Sequence, residues 1–297
     1  MTGAEQGFLL LCSQLGNPDR KVLTVAQLRV LGQRVRQMMV DDPDRQLCQE
    51  DLRSLGYGED MARRIVALLD EEELLDYYCR QGAKKKCTCL SRVSAQYPAV
   101  LRKNLGDDSP GCLWAKGDLS LLSMPKIALV GSRELSEENR RFAAEVGRQA
   151  ALQGYALVSG NARGADKTAQ DACLKAGGKV ISVVADRLDS HSGKDNVLYI
   201  SEDGFDCEFS AQRAISRNRV IHGLGEKTFV AQSGYQTGGT WDGTAKNLRF
   251  GWSAVYCYAD GSPAQLLLQD MGANVVEMAQ LEDISGLENL NTGFLDQ

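Results

Sequence analysis

From Lys126 onward the chain alternates short apolar runs with longer segments of helical periodicity, and few folds accept that rhythm. KIALVG, YALVSG and KVISVVA read as buried strands, and NRRFAAEVGRQAALQG and GADKTAQDACLKAG as the helices between them. KTFVAQS, AVYCYA and NVVEM extend the series. Repeated strand–helix–strand units imply right-handed crossovers and a mainly parallel sheet with helices on both faces, a Rossmann-like α/β domain. Residues 83–280 are expected to form it.

In such a sheet, ligands sit beyond the carboxyl ends of the strands, so the loop after each strand carries the chemistry. Three loops stand out. After KIALV come Gly131, Ser132 and Arg133: a tight turn, a hydroxyl donor and a bidentate guanidinium. The dinucleotide fingerprint G-x-G-x-x-G is absent from this position, which argues against a nicotinamide or flavin cofactor held in the usual way; no cofactor is expected. After YALV come Ser159, Gly160, Asn161, Ala162, Arg163, Gly164, Ala165 and Asp166, opening a helix. Its glycines can offer N–H groups to an anion at a helix start, Asp166 reads as a structural cap, and Arg163 reads as facing a ligand. The third loop, Ser216 to Gly225, holds Arg217, Asn218 and Arg219. Either arginine can face the crevice while the other pairs with an acid of the scaffold. Topology brings Arg133, Arg163, Arg217 and Arg219 toward one edge of the sheet.

Residues 1–82 carry helical periodicity and few strand signals. Val22, Val25, Leu28, Leu31 and Val35 fall on one stripe of an expected helix. Two short helices around Leu55-Gly56-Tyr57-Gly58, with Ala62 and Ile65 facing inward, resemble a helix-hairpin-helix element. Glu59 and Asp60 beside the turn would repel a phosphate, so the hairpin reads as structural. Gln81 to Lys126 reads as an irregular lead-in containing one edge strand at Cys112 to Ala115. Residues 281–297 read as a loosely held acidic tail.

The net charge of −5 speaks against a simple basic nucleic-acid binder, but the charge is unevenly distributed. Arg80 to Lys126 contains nine Lys or Arg and three Asp, whereas no Lys or Arg follows Arg249. A basic face can therefore coexist with an acidic rear. The N-terminus lacks the basic and apolar regions of a signal sequence, and no membrane span is expected. Nine cysteines at irregular spacing fit a reducing cytoplasm better than a disulfide framework. Cys79, Cys87 and Cys89 lack the paired C-x-x-C spacing of zinc sites and read as unpaired, partly buried thiols. With His191 and His222 the only histidines, no catalytic triad or metal site is legible. His222, beside the arginine pair, reads as a packing residue. No catalytic residue is assigned, and the chain reads as a non-enzyme.

The order VGSR, SG-x-A-x-G-x-D, S-RNR-x-I-x-GL and a glycine- and threonine-rich loop resembles the DprA/Smf family of DNA-processing proteins, over roughly Tyr97 to Ala273. The resemblance implies single-stranded DNA held on the Rossmann-like domain by Gly131, Ser132, Arg133, Ser159, Gly160, Arg217, Asn218 and Arg219. It also implies a homodimer and a RecA-type recombinase as partner, in transformation or repair.

Four departures from the family pattern stand in the sequence. Ala214-Ile215 replaces the Phe-Pro before the RNR motif, and Gln170 replaces a histidine. Phe209, Tyr235 and Trp241 are the aromatic residues that can take over base stacking. The loop from Ser233 to Ala245 is long, and its Gly238, Gly239, Thr240 and Thr244 are similar to the phosphate grip of the related LOG proteins. The residues after Leu281 are expected to be too few for the winged-helix domain found in some members of the family. The competing reading is a nucleotide-binding sensor, or a hydrolase of N-glycosidic bonds in which Asp242 or Glu202 activates water.

Overall fold

The computed structural model describes residues 1–38 and 45–289. The helical portion comprises α1 (Gly3–Cys12), α2 (Val25–Val35), α3 (Gln49–Ser54), α4 (Glu59–Leu69) and α5 (Glu72–Lys84). There follow β1 (Thr88–Ser91), α6 (Ala99–Leu105), β2 (Cys112–Lys116), β3 (Lys126–Val130), α7 (Glu137–Leu152), β4 (Ala156–Ser159), α8 (Ala165–Lys175), β5 (Lys179–Val183) and β6 (Val197–Ser201). The chain continues through α9 (Ala211–Ser216), α10 (Asn218–Leu224), β7 (Lys227–Val230), α11 (Gly238–Phe250), β8 (Ala254–Tyr258), α12 (Pro263–Asp270) and β9 (Asn274–Val276).

These strands form one sheet in the order β1-β2-β6-β5-β4-β3-β7-β8-β9. From β6 to β9 every neighbouring pair is parallel, as the alternating pattern implies. The chain starts in the middle at β3, winds outward through β4, β5 and β6, then returns to place β7 on the other side of β3. The strand order therefore reverses between β3 and β7, and that is where a crevice opens beyond the carboxyl ends.

Side chains alternate between two cores, as the two-residue period of a strand requires. Ile127, Leu129, Leu157 and Phe229 face a core shared with α7, α8 and the N-terminal helices. Ala128, Val130, Val158 and Val230 face a second core that includes residues of α6, α10 and α12. Burial on both sides explains why the parallel strands read as continuous apolar runs rather than as alternating ones.

Several expectations are revised. The segment Cys112 to Ala115 is not an edge strand: β2 pairs antiparallel with both β1 and β6, and β1 is the edge. The lead-in is thus part of the sheet, because its four residues from Cys112 to Ala115 are all buried. The boundary expected at 82/83 falls inside α5, which packs on the sheet through Tyr78; its ring lies 5.2 Å from Trp114 and 4.6 Å from Phe205. On α2, the stripe begins at Val25 and excludes Val22, because the Thr24 hydroxyl accepts from Gln27 N–H and starts the helix there. Leu23 is the buried residue of that approach.

The hairpin of α3 and α4 forms around the expected turn, with Ala62 and Ile65 buried. The tail, as far as residue 289, is docked rather than loose. Leu281 and Ile284 are fully buried, and Lys227 Nζ donates to the carbonyls of Ile284, Ser285 and Leu287 at 2.6, 3.1 and 2.9 Å. The rest of the tail lies outside the described residues. Among the described residues no helix is long and apolar enough to cross a membrane.

Candidate nucleic-acid interface

A cleft of about 470 Å³ opens at the reversal point between β3 and β7. The loop after β3 supplies Gly131, Ser132 and Arg133, and α10 begins with Asn218 on its border. Gly238, Gly239 and Thr240, the first turn of α11, close the far side.

The loop edges are joined across the switch point. Ser132 donates from its N–H to the Gln232 carbonyl at 2.9 Å, and its hydroxyl to the same oxygen at 3.2 Å. Gln232 Oε1 accepts from Ser136 N–H at 3.0 Å. Gln232 carries no motif signal, and only the pairing of β3 with β7 reveals its position.

Arg217 forms the floor. Only 7% of the residue is exposed, and its Nε is buried with no acceptor among the described residues. The nearest carboxylate, Asp166, lies 4.0 Å from Nη2, too far for a hydrogen bond. Burial works against both charges: it pushes the Asp166 carboxyl up, opposed by Arg217, and draws the Arg217 guanidinium down. Gly160 makes this arrangement possible, since a Cβ there would lie 1.5 Å from Arg217 Nη1. Gly164 has φ +86°, and a Cβ on it would meet the Ser132 and Arg133 carbonyls at about 2.5 Å, so the second loop can nest against the first only through glycine.

Asp166 does not cap its own helix. Its Oδ2 accepts from the N–H groups of Gly160 and Ala162 at 3.1 and 3.2 Å, which holds the glycine loop in shape beneath Arg217. On the opposite wall, the N-cap residue Thr237 makes no side-chain capping bond to α11. A helix start without a side-chain cap directs N–H groups and partial positive charge at whatever occupies the cleft. By contrast α7, which follows the VGSR loop, is capped by Ser136 and begins with Glu137 and Glu138.

The four arginines separate into two pairs. Arg133 and Arg217 line the cleft, with Arg133 exposed at the rim. Arg219 is bound to Glu202 at 2.5 Å and is the scaffold partner of the motif. Arg163 is exposed and is not among the lining residues. Ser159 is buried and accepts from Gln170 Nε2 at 2.6 Å, so the residue in the histidine position serves to fix that serine. Asn161, at φ +61°, borders a separate polar cavity of about 270 Å³ with Lys167, His191 and Lys194. Asn218 lines the cleft and donates to the Gly239 carbonyl at 2.9 Å, fastening α10 to α11. Thr244 is fully buried behind the first turn of α11 and does not reach the cleft.

The groups named for a hydrolase are placed elsewhere. Glu202 is occupied by Arg219 and by the Ser216 hydroxyl at 2.8 Å, and Asp242 is exposed outside the lining. His222 is buried, with Nδ1 3.0 Å from Asn247 Nδ2, and burial pushes its pKa down to about 3, so it is a neutral packing residue. Phe209, Tyr235 and Trp241 do not line the cleft either, although Tyr235 lies between Gly234 and Thr237, which do. Ala211, Ala214, Ile215 and Ile221 form an apolar wall instead. Their small and aliphatic side chains gave no motif to find.

Residues 88–247 match the family described as DNA recombination-mediator protein A. The chain belongs to that family, the DprA/Smf proteins. It is 32% identical over 157 residues to the DNA processing protein DprA of Bacillus subtilis, covering 49% of this chain and 52% of that protein. It is 34% identical over 146 residues to DprA of Streptococcus pneumoniae, covering 44% and 50%. The chain thus spans about half the length of these curated relatives. The X-ray structure of DprA from Streptococcus pneumoniae superposes with a TM-score of 0.71 at 26% identity, over 97% of this chain and 99% of that one. The fold is also that of DprA from Helicobacter pylori, a structure described for its single-stranded DNA binding mode, at TM-score 0.54 and 20% identity over 67% of this chain and 93% of that one. The family match begins at β1, so the DprA/Smf unit includes both antiparallel strands, β1 and β2.

Proposed function

We propose that the cleft binds the phosphate backbone of single-stranded DNA and that the chain acts in DNA recombination. The observation that carries this reading is Arg217: a buried guanidinium with an unpaired donor, facing a cleft rimmed by Arg133 and a helix start without a side-chain cap. A buried charged donor without an acceptor costs more than a kcal/mol and is retained where a ligand supplies the acceptor. A phosphodiester oxygen has the required charge, and Gly238, Gly239 and Thr240 offer N–H groups to a second one. The apolar wall from Ala211 to Ile221 gives a base or sugar a dry surface. In keeping with the family, the further proposal is a homodimer that passes the strand to a RecA-type recombinase.

The test is fluorescence anisotropy with labelled oligothymidylate across a salt series. Arg133→Ala and Arg217→Ala should each weaken binding by on the order of tenfold and lower the salt slope of log K by just under one unit. Unchanged affinity in both variants would remove the cleft from DNA binding. Absence of oligonucleotide binding at low salt, with a mononucleotide raising the melting temperature, would transfer the site to the nucleotide-sensor reading.

A further inference from the structure

Away from the cleft, two cysteines are placed for chemistry that DNA binding does not use. Cys79 on α5 and Cys89 on β1 bring their sulfurs within 3.5 Å, and both are partly buried rather than sealed. The strand that carries Cys89 is the sheet edge, paired on one side only, and so can adjust. A disulfide needs about 2.05 Å between sulfurs, so the pair must close by roughly 1.5 Å.

We infer that Cys79 and Cys89 are an oxidation site that forms a reversible intramolecular disulfide, fastening α5 to the edge strand. The two sulfurs share a hydrogen bond in which either can be the donor, so either thiol can be the first nucleophile; with Cys89 first, the exchange runs in two steps. A low-molecular-weight disulfide of the glutathione type is the oxidant. The Cys89 thiolate attacks one of its sulfurs, breaking that S–S bond and releasing one small thiolate, which takes up a proton. Cys79 then loses its proton and attacks Cys89 Sγ of the mixed disulfide, expelling the second small thiol. Two protein thiols are oxidised and one small disulfide is reduced to two thiols.

The neighbouring cysteines do not compete on equal terms. Cys112 and Cys87 are 1% and 2% exposed, so a small disulfide cannot reach either, and the partly buried Cys12 beside Cys112 has its thiol engaged by the Phe8 carbonyl at 2.7 Å. Cys48 is exposed, and its side chain pairs with Arg45 and Asp51 rather than with a second sulfur. It is expected to stop at the mixed disulfide.

The experiment uses the full chain, reduced and then equilibrated with mixtures of reduced and oxidised glutathione. Remaining thiols are trapped with iodoacetamide in denaturant, and tryptic peptides are analysed without reduction. Cleavage after Lys86 and Arg92 leaves Cys87 and Cys89 on one peptide, so fragment spectra must locate the bond. The expected result is a linked pair joining Cys79 to Cys89, lighter by two hydrogens and lost on adding dithiothreitol. The link should vanish in Cys79→Ser and in Cys89→Ser. The oxidised protein should also melt a few degrees above the reduced one. Finding Cys79 and Cys89 alkylated or separately glutathionylated while Cys48 has reacted would overturn the inference, as would a bond to Cys87. The trapping of unsubstituted protein decides the matter even if a serine variant fails to fold.

Discussion

The two ends of the parallel sheet treat their cations in opposite ways. At the amino ends, Lys126 Nζ donates to the carbonyls of Leu122 and Met124 at 2.9 and 2.5 Å, and Lys227 Nζ is held by three carbonyls of the C-terminal segment. At the carboxyl ends, Arg217 is as deeply buried as Lys126 yet has an unpaired donor, and the helix start facing it lacks a side-chain cap. A cation that the fold satisfies contributes to stability; one that the fold leaves unsatisfied costs stability and is positioned for an incoming anion. The difference separates structural basic residues from binding ones better than exposure does, since Arg163 is exposed and stands outside the cleft.

This contrast can be broken most directly at Gly160. Its Cβ would overlap the flexible end of Arg217 rather than backbone, so Gly160→Ala should fold while displacing the guanidinium. Oligonucleotide affinity should fall by roughly 10- to 100-fold, about 1.4 to 2.8 kcal/mol, with the urea midpoint nearly unchanged. Anisotropy paired with urea unfolding checks both halves, and a variant that unfolds without losing affinity per folded molecule would refute the assignment of Arg217.

Lys227→Met probes the other end of the sheet. Three carbonyls lose their donor and the docked segment around Ile284 loosens, so stability should drop by about 1 to 3 kcal/mol while DNA affinity of the folded protein stays as it was. Equal losses in both variants would erase the distinction between the two ends.

A smaller effect belongs to His222, which holds Asn247 in the last turn of α11. Its folded pKa of about 3 lies below the ordinary 6.5. The group is neutral in the folded state and protonates in the unfolded chain, so its contribution is fully present above pH 6.5 and is lost as pH falls toward 3. The slope is on the order of 1 kcal/mol per pH unit. Urea midpoints between pH 4 and 7 should fall more steeply for the unsubstituted protein than for His222→Gln. Parallel curves would assign the acid sensitivity to carboxylates alone.

Much of the cleft was legible in the primary structure. Gly131, Ser132, Arg133, Arg217, Asn218, Gly238, Gly239 and Thr240 carry motif signals and line one cavity. Legibility failed where a residue's partner is remote in sequence. Gln232 acquires its role from hydrogen bonds to Ser132 and Ser136, 100 and 96 residues away, and Asn161 is drawn toward a second cavity by a left-handed backbone turn. The aliphatic wall of Ala214 and Ile215 replaces an expected aromatic platform and leaves no pattern, because small apolar residues look alike in core and cleft. The same blindness hid β1 and the inner position of β2: strands of four and five residues in a segment rich in turns are too short for a period to show.

The sequence by itself determined the alternation of strands and helices, the burial of the parallel strands, the glycines that let loops approach one another, and membership of the DprA/Smf family. These are consequences of side-chain period and backbone freedom, which act over a few residues. Only the tertiary structure decided between two arginines a single residue apart. Arg219 meets Glu202 across the fold and is neutralised, whereas Arg217 passes over Gly160, lies beside but not on Asp166, and remains available. Charge pairing acts through space between residues far apart along the chain, and local pattern carries no record of it.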